Sequence, residues 1–144
     1  QWFGNSVGLT AWPDIWLNEG FACYAEWLWS QESGSLSCQQ QAERHWELLA
    51  GLPQDLVLTD PGAEEMFDDR VYKRGALTLQ ALRTTIGDEA FFTVLQRWAS
   101  DHRHGTATTA EFRQLAEQVH GASLARLFDA WLLQPQLPRL PRTR

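Results

Sequence analysis

The sequence predicts an all-α chain of about six helices, and three observations carry that expectation. Apolar residues recur at helical spacing in successive stretches. Cap-forming residues precede those stretches and glycines follow them, as at Thr108 and Gly121. No alternating strand pattern competes, apart from a weak run at Leu56, Val57 and Leu58.

Each element has its own signal. Gln1-Trp2-Phe3-Gly4-Asn5 reads as the last turn of a helix closed by a Gly-Asn stop, so part of a helix is expected before Gln1. A short connection follows at residues 6–12. Pro13 and Asp14 then supply helix-start chemistry for a stretch reaching about residue 31. Ile15, Trp16, Leu17, Phe21, Ala22, Ala25, Trp27 and Leu28 cover most of that helix surface, which predicts burial on more than one side. Ser33-Gly34-Ser35 breaks it, and a second helix is expected over residues 37–50. Residues 51–62 hold two prolines and two glycines and read as a loop.

The next helix is the best patterned. Asp68 or Asp69 can cap it, and Val71, Gly75, Leu79, Leu82 and Ile86 recur at helical spacing until Gly87 stops it. Asp88 caps a helix with Phe91, Leu95 and Trp98 on one face, and residues 102–105 form a polar turn. Thr108 with Glu111 makes a capping-box signature before Phe112, Leu115, Ala116 and Val119, ending at Gly121. Ser123 caps a last helix through Leu124, Leu127, Phe128 and Trp131. Three prolines from Pro135 onward end regular structure and leave a solvated Pro/Arg-rich tail over 135–144, extended or disordered.

Composition narrows the function classes. Apolar residues make up 44% and charged residues 21%, which suits a packed fold in a chain of 144 residues, one domain or part of one. A net charge of −6 argues against nucleic-acid or acidic-membrane binding, both of which need a cationic surface. Cys23 and Cys38 give neither a disulfide framework nor metal-type spacing and read as reduced core thiols. Five of the eight tryptophans fall within the first thirty residues, which predicts burial of that segment against something large. An acidic, cysteine-poor chain suits a cytoplasmic location.

One carboxylate stands out chemically. Glu19, in Trp16-Leu17-Asn18-Glu19-Gly20-Phe21, lies in a hydrophobic helix, where an ionised carboxylate needs a cation, a hydrogen-bond network or a metal. Residue pattern alone leaves both a structural ion pair and a metal ligand open. The four histidines, His45, His102, His104 and His120, are too scattered to supply a ligand set, and surface or capping roles are expected for them.

Gln1-Trp2-Phe3-Gly4-Asn5-Ser6-Val7, with Trp16-Leu17-Asn18-Glu19-Gly20-Phe21-Ala22, Tyr24 and Glu26, resembles the aminopeptidase N family of gluzincin zinc metallopeptidases. That family carries HExxH, eighteen further residues, then a glutamate. Eighteen residues run from Gln1 to Asn18 and Glu19 follows, so the resemblance implies Glu19 as the third zinc ligand, with both histidines and the general base before Gln1. Two histidines at i and i+4 share one helix face, and a second, antiparallel helix must bring the third ligand across. Glu26, two turns beyond Glu19, is open to two readings, a hydrogen bond to a ligand histidine or a core-edge salt bridge. Asn18, beside Glu19, is a supporting candidate of the same kind.

Val71-Tyr72-Lys73-Arg74-Gly75 resembles the family's tyrosine segment, and the resemblance implies that Tyr72 donates to the oxyanion of the reaction. Leu127-Phe128-Asp129-Ala130-Trp131-Leu132 resembles the close of the same subdomain. Residues 1–134 are then the helical, C-terminal part of a thermolysin-like catalytic domain, and the implied activity is Zn2+-dependent removal of N-terminal residues from peptides with a free N-terminus. The partner implied is the upstream part of the same enzyme. Alone, the 144 residues are expected to be inactive and to hold zinc weakly or not at all, because one carboxylate cannot hold catalytic zinc. The alternative is a noncatalytic helical module docking a protein through a tryptophan-rich face.

Overall fold

The computed structural model describes residues 8–9, 15–51, 69–101, 106–134 and 137–140. The weak run at 56–58, Asp14 and Asp68 lie outside that set. Six helices make up the described chain: α1 (Ile15–Glu32), α2 (Cys38–Ala50), α3 (Asp69–Ile86), α4 (Asp88–Asp101), α5 (Thr109–His120) and α6 (Ala125–Phe128). A π-helical turn, Asp129–Leu133, continues α6. Two residues on each side form a parallel pair, β1 (Gly8–Leu9) with β2 (Thr106–Ala107), tying the connection before α1 to the one before α5.

The helix ends follow local chemistry. Ser37 accepts from the Gln40 amide while its own amide donates to the Gln40 side chain, a reciprocal cap that starts α2. Gly87 has φ 92, a left-handed conformation that a side chain would strain, and this one residue turns the chain from α3 into α4. Thr108 accepts from the Glu111 amide at the start of α5 and donates its hydroxyl to the Glu111 carboxylate at 3.0 Å.

The last helix departs from expectation. Leu124, not Ser123, occupies the cap position, and no side chain of its own fills the capping role. Glu117 instead reaches from α5 and accepts the Leu124 amide at 2.7 Å, while Ser123 accepts from Ala125 at 3.2 Å. That amide is the main reason the Glu117 carboxyl lies below its ordinary pKa.

α3 runs through the centre, and every side chain from Arg74 to Arg83 is buried. Its largest interface is with α1, which contributes Trp16, Leu17, Phe21, Tyr24 and Trp27 to the core. Phe112 of α5 is an aromatic hub, meeting Trp16, Phe21, Trp98 and Phe128 edge-on at 5.2–6.3 Å. Each such contact adds about 0.5–1.5 kcal/mol beyond burial.

The tryptophan-rich start is buried only in part. Trp16 and Trp27 are in the core, but Trp29 is 74% exposed, because two residues further along a helix is about 200° around it. Trp2 and Trp12 lie outside the described residues. Cys38 is buried and Cys23 half-buried, both free thiols. Residues 137–140 lack regular structure, yet Leu137 and Leu140 pack against the core and the Pro138 carbonyl accepts from Trp46 at 2.7 Å.

Candidate functional site

Glu19 sits in the second turn of α1 and Tyr72 in the first turn of α3. The site is built where these two helices touch. A Cβ added to Gly20 would lie 2.9 Å from the Gly75 carbonyl carbon, and one added to Gly75 would lie 2.9 Å from the Gly20 Cα and 3.0 Å from the Trp16 carbonyl oxygen. Backbone therefore meets backbone, which only paired glycines permit. Gly20 is the neighbour of Glu19, and Gly75 is one helical turn beyond Tyr72, on the same face. The crossing thus brings the two turns that carry the sequence candidates together. The side chains of Asn18, Glu19 and Tyr72 lie outside the described part.

The other candidates are less central. Glu26 is exposed on α1. His45 stacks on Trp27 at 5.2 Å with an interplanar angle of 3°, and His120 is exposed in the last turn of α5. His102 and His104 lie outside the described residues. Among the described residues no group of three histidine, cysteine or carboxylate side chains converges that could hold a metal. The described side chains therefore hold no zinc ligand set of their own, and the carboxylate of the sequence candidate, Glu19, lies outside them.

Sequence reasoning missed the polar groups buried along α3. Arg74 is 4% exposed and donates from Nε to the Trp131 carbonyl at 2.9 Å and from Nη2 to the carbonyls of Ala130 and Gln134. Burial brings its pKa down to about 10, so it keeps its charge at neutral pH. Further along, Tyr24 donates to Gln80 at 2.7 Å and accepts from Arg83 Nη1 at 3.0 Å, and Arg83 pairs with Asp88 through Nε at 2.9 Å. Burial raises the Tyr24 phenol well above its ordinary pKa, and the Arg83 hydrogen bond lowers that of Asp88. Burial likewise raises the Cys38 thiol. Arg83 keeps its charge against the pull of burial because Asp88 and Tyr24 both take its hydrogen bonds. A pocket of about 480 Å³ opens over this network between the starts of α2 and α4. Arg74, Thr78, Gln80 and Arg83 interleave with the apolar residues of α3, and that interleaving was the available signal.

Residues 1–131 match the model of the peptidase family M1 domain. A probable M1 family aminopeptidase of Encephalitozoon cuniculi is 26% identical over 150 residues, covering 96% of this chain and 17% of that protein. Aminopeptidase A of Gloydius brevicauda is 29% identical over 150 residues, covering 97% of this chain and 16% of its own length. Among solved structures, the M1 zinc metallopeptidase of Deinococcus radiodurans superimposes with a TM-score of 0.89 at 36% identity, over 99% of this chain and 32% of that one. A mutant of that enzyme bound to a Tyr-Ser-Ala substrate gives a TM-score of 0.87, over 98% of this chain and 32% of that one. The chain thus spans under a fifth of these curated relatives and about a third of the solved chains.

Proposed function

The chain belongs to peptidase family M1, and on that premise we propose that it is the helical part of a zinc aminopeptidase active site, supplying Glu19 as a metal ligand and Tyr72 as oxyanion donor. The observation that carries the reading is the Gly20–Gly75 crossing, which sets the turns bearing these two residues against each other.

When bound, zinc would supply Lewis acidity and an activated water at neutral pH. Glu19 would hold it with one carboxylate, the remaining ligands and the general base coming from sequence outside these 144 residues. Tyr72, as a neutral phenol, would donate a hydrogen bond to the oxygen that gains negative charge as the scissile carbonyl is attacked. Asn18 and Glu26 would support the ligands through hydrogen bonds. Substrates are peptides with a free N-terminus. Residues 1–134 would act as the catalytic unit's helical half and 135–144 as its tail, and the acidic, cysteine-poor composition supports a cytoplasmic setting.

The test compares the purified 144 residues with the enzyme that contains them, using an aminoacyl chromogenic substrate and zinc analysis. The enzyme should hold one zinc, lose it in Glu19→Gln, and keep it but turn over slowly in Tyr72→Phe. The 144 residues alone should neither bind zinc stoichiometrically nor hydrolyse. Chelator-sensitive hydrolysis by the 144 residues alone, or full zinc and activity in Glu19→Gln, would overturn the reading. A docking module with a tryptophan-rich face has less support, since among the described tryptophans of that segment Trp16 and Trp27 are spent in the core and Trp29 alone is exposed.

A further inference from the structure

Arg74 stands between Tyr72 and the crossing glycine, and it grips a different part of the fold from the α1 backbone that Gly75 meets. The carbonyls it binds, those of Ala130, Trp131 and Gln134, belong to the π turn Asp129–Leu133 and the residue after it. Closing carbonyls of a helix have no amide partner within it, so leaving them buried and unmet is costly. A planar guanidinium can serve several such acceptors at once from one fixed geometry, which a single ammonium cannot.

Position in the helix gives that clamp a second consequence. Tyr72 and Arg74 are two residues apart, about 200° around α3, while Gly75 shares the face of Tyr72. α3 is therefore held at adjacent positions on two faces about 100° apart, by the α1 backbone at Gly75 and by the π turn at Arg74. The first turn of a helix has no preceding carbonyls to tie its amides, so its placement depends on what fixes the turn that follows.

We propose that Arg74 is a positioning residue for Tyr72: by locking the start of α3 to the C-terminal π turn, it fixes where the Tyr72 backbone stands relative to Glu19. The inference rests on the reading of Tyr72 as oxyanion donor. Misplacement of a catalytic group by about 1 Å can lower a rate on the order of 100-fold without loss of substrate binding.

The experiment is a double-mutant cycle in the zinc-loaded enzyme that contains this chain, with Arg74→Gln, Arg74→Lys and Tyr72→Phe singly and combined. Arg74→Gln should lower kcat by roughly 10- to 100-fold with KM within about twofold and zinc still stoichiometric, and Arg74→Lys should recover part of the loss. In the Tyr72→Phe background the Arg74 substitutions should change kcat by no more than about twofold, because the group they position is gone. Losses that multiply across the two sites, or Arg74 variants with full kcat where Tyr72→Phe is slow, would overturn the inference and leave the Tyr72 role standing. Full kcat in Tyr72→Phe would overturn the Tyr72 role and this inference with it. If Arg74→Gln does not fold, Arg74→Lys carries the same cycle with a smaller loss.

Discussion

Replacing Gly75 with alanine tests the contact on which the proposed site depends. The added methyl would lie 2.9 Å from the Gly20 Cα and 3.0 Å from the Trp16 carbonyl oxygen. Carbon atoms pack comfortably at about 3.5–4.0 Å, so α1 and α3 must separate by roughly 0.6–1 Å. Both obstacles are backbone, so no rotamer change relieves them. Overpacking of this kind costs about 1–3 kcal/mol. Alanine's better helix propensity returns up to about 1 kcal/mol. The expected net destabilisation is about 1–2 kcal/mol, or roughly 3–6 °C in melting temperature for a chain of this size. The assay is thermal unfolding followed by circular dichroism at 222 nm. Gly51→Ala is the control, since there a Cβ would meet nothing nearer than the Leu48 carbonyl oxygen at 3.6 Å. It should shift the midpoint by less than about 2 °C. A Gly75→Ala protein that melts with the wild type would mean that the two helices do not meet at these glycines, and the case for bringing Glu19 and Tyr72 together would collapse.

The buried network makes its own predictions. Tyr24→Phe removes the hydroxyl shared by Gln80 and Arg83 and should cost about 1–2 kcal/mol in urea unfolding. The raised Tyr24 pKa means that its stabilising share is intact below about pH 10 and is lost as pH climbs past the unfolded value. Absorbance titration at 295 nm should therefore show one of the two tyrosines ionising only with alkaline unfolding, and Tyr24→Phe should abolish that late step. The depressed pKa of Asp88 has the opposite sign: its share is present above about pH 3.9 and is lost as pH falls through the folded value. Its side chain is 72% exposed, so Asp88→Asn should flatten the acid limb by less than about 1 kcal/mol, measured as urea midpoints from pH 5 to pH 2. Trp46→Phe breaks the bond to Pro138 and should speed tryptic cleavage after Arg139 roughly fivefold, the opening expected for loss of about 1 kcal/mol.

Helix existence was legible in the sequence because its signals are local. The glycine stops at Gly87 and Gly121 and the Thr108 cap need only neighbouring residues, and all three act as expected. Ser123 failed as a cap because the better acceptor, Glu117, arrives from the preceding helix, a contact seven residues away that no local rule anticipates. Trp29 failed as a core residue because hydrophobicity cannot say which of two opposed faces finds a partner. Glu19 and Tyr72 came from resemblance alone, and the helix crossing next to them was not legible. It depends on Gly20 and Gly75, two residues that carry no chemistry and are more than fifty positions apart. The cations were hidden for a related reason. Arg74 and Arg83 look like surface residues until the carbonyls of Ala130, Trp131 and Gln134, or the Tyr24 hydroxyl, are placed beside them.

α3 divides its length between two tasks, and the division explains why it holds so many polar groups in the core. Its first half meets α1 through glycine and the π turn through Arg74, contacts that set position tightly because backbone and a fixed guanidinium fork have little slack. Its second half is anchored through Gln80 and Arg83 to Tyr24 of α1 and Asp88 of α4, nearly two turns beyond the crossing. A helix pinned only at the crossing could pivot there, and a pivot at Gly75 would swing Tyr72 relative to Glu19. Pinning it again at Tyr24 removes that freedom. Directional hydrogen bonds serve this purpose where apolar packing alone would tolerate sliding, and sites that require sub-ångström placement rest on such support. The network at Tyr24, distant from the proposed chemistry, therefore acts on the same geometry as the crossing.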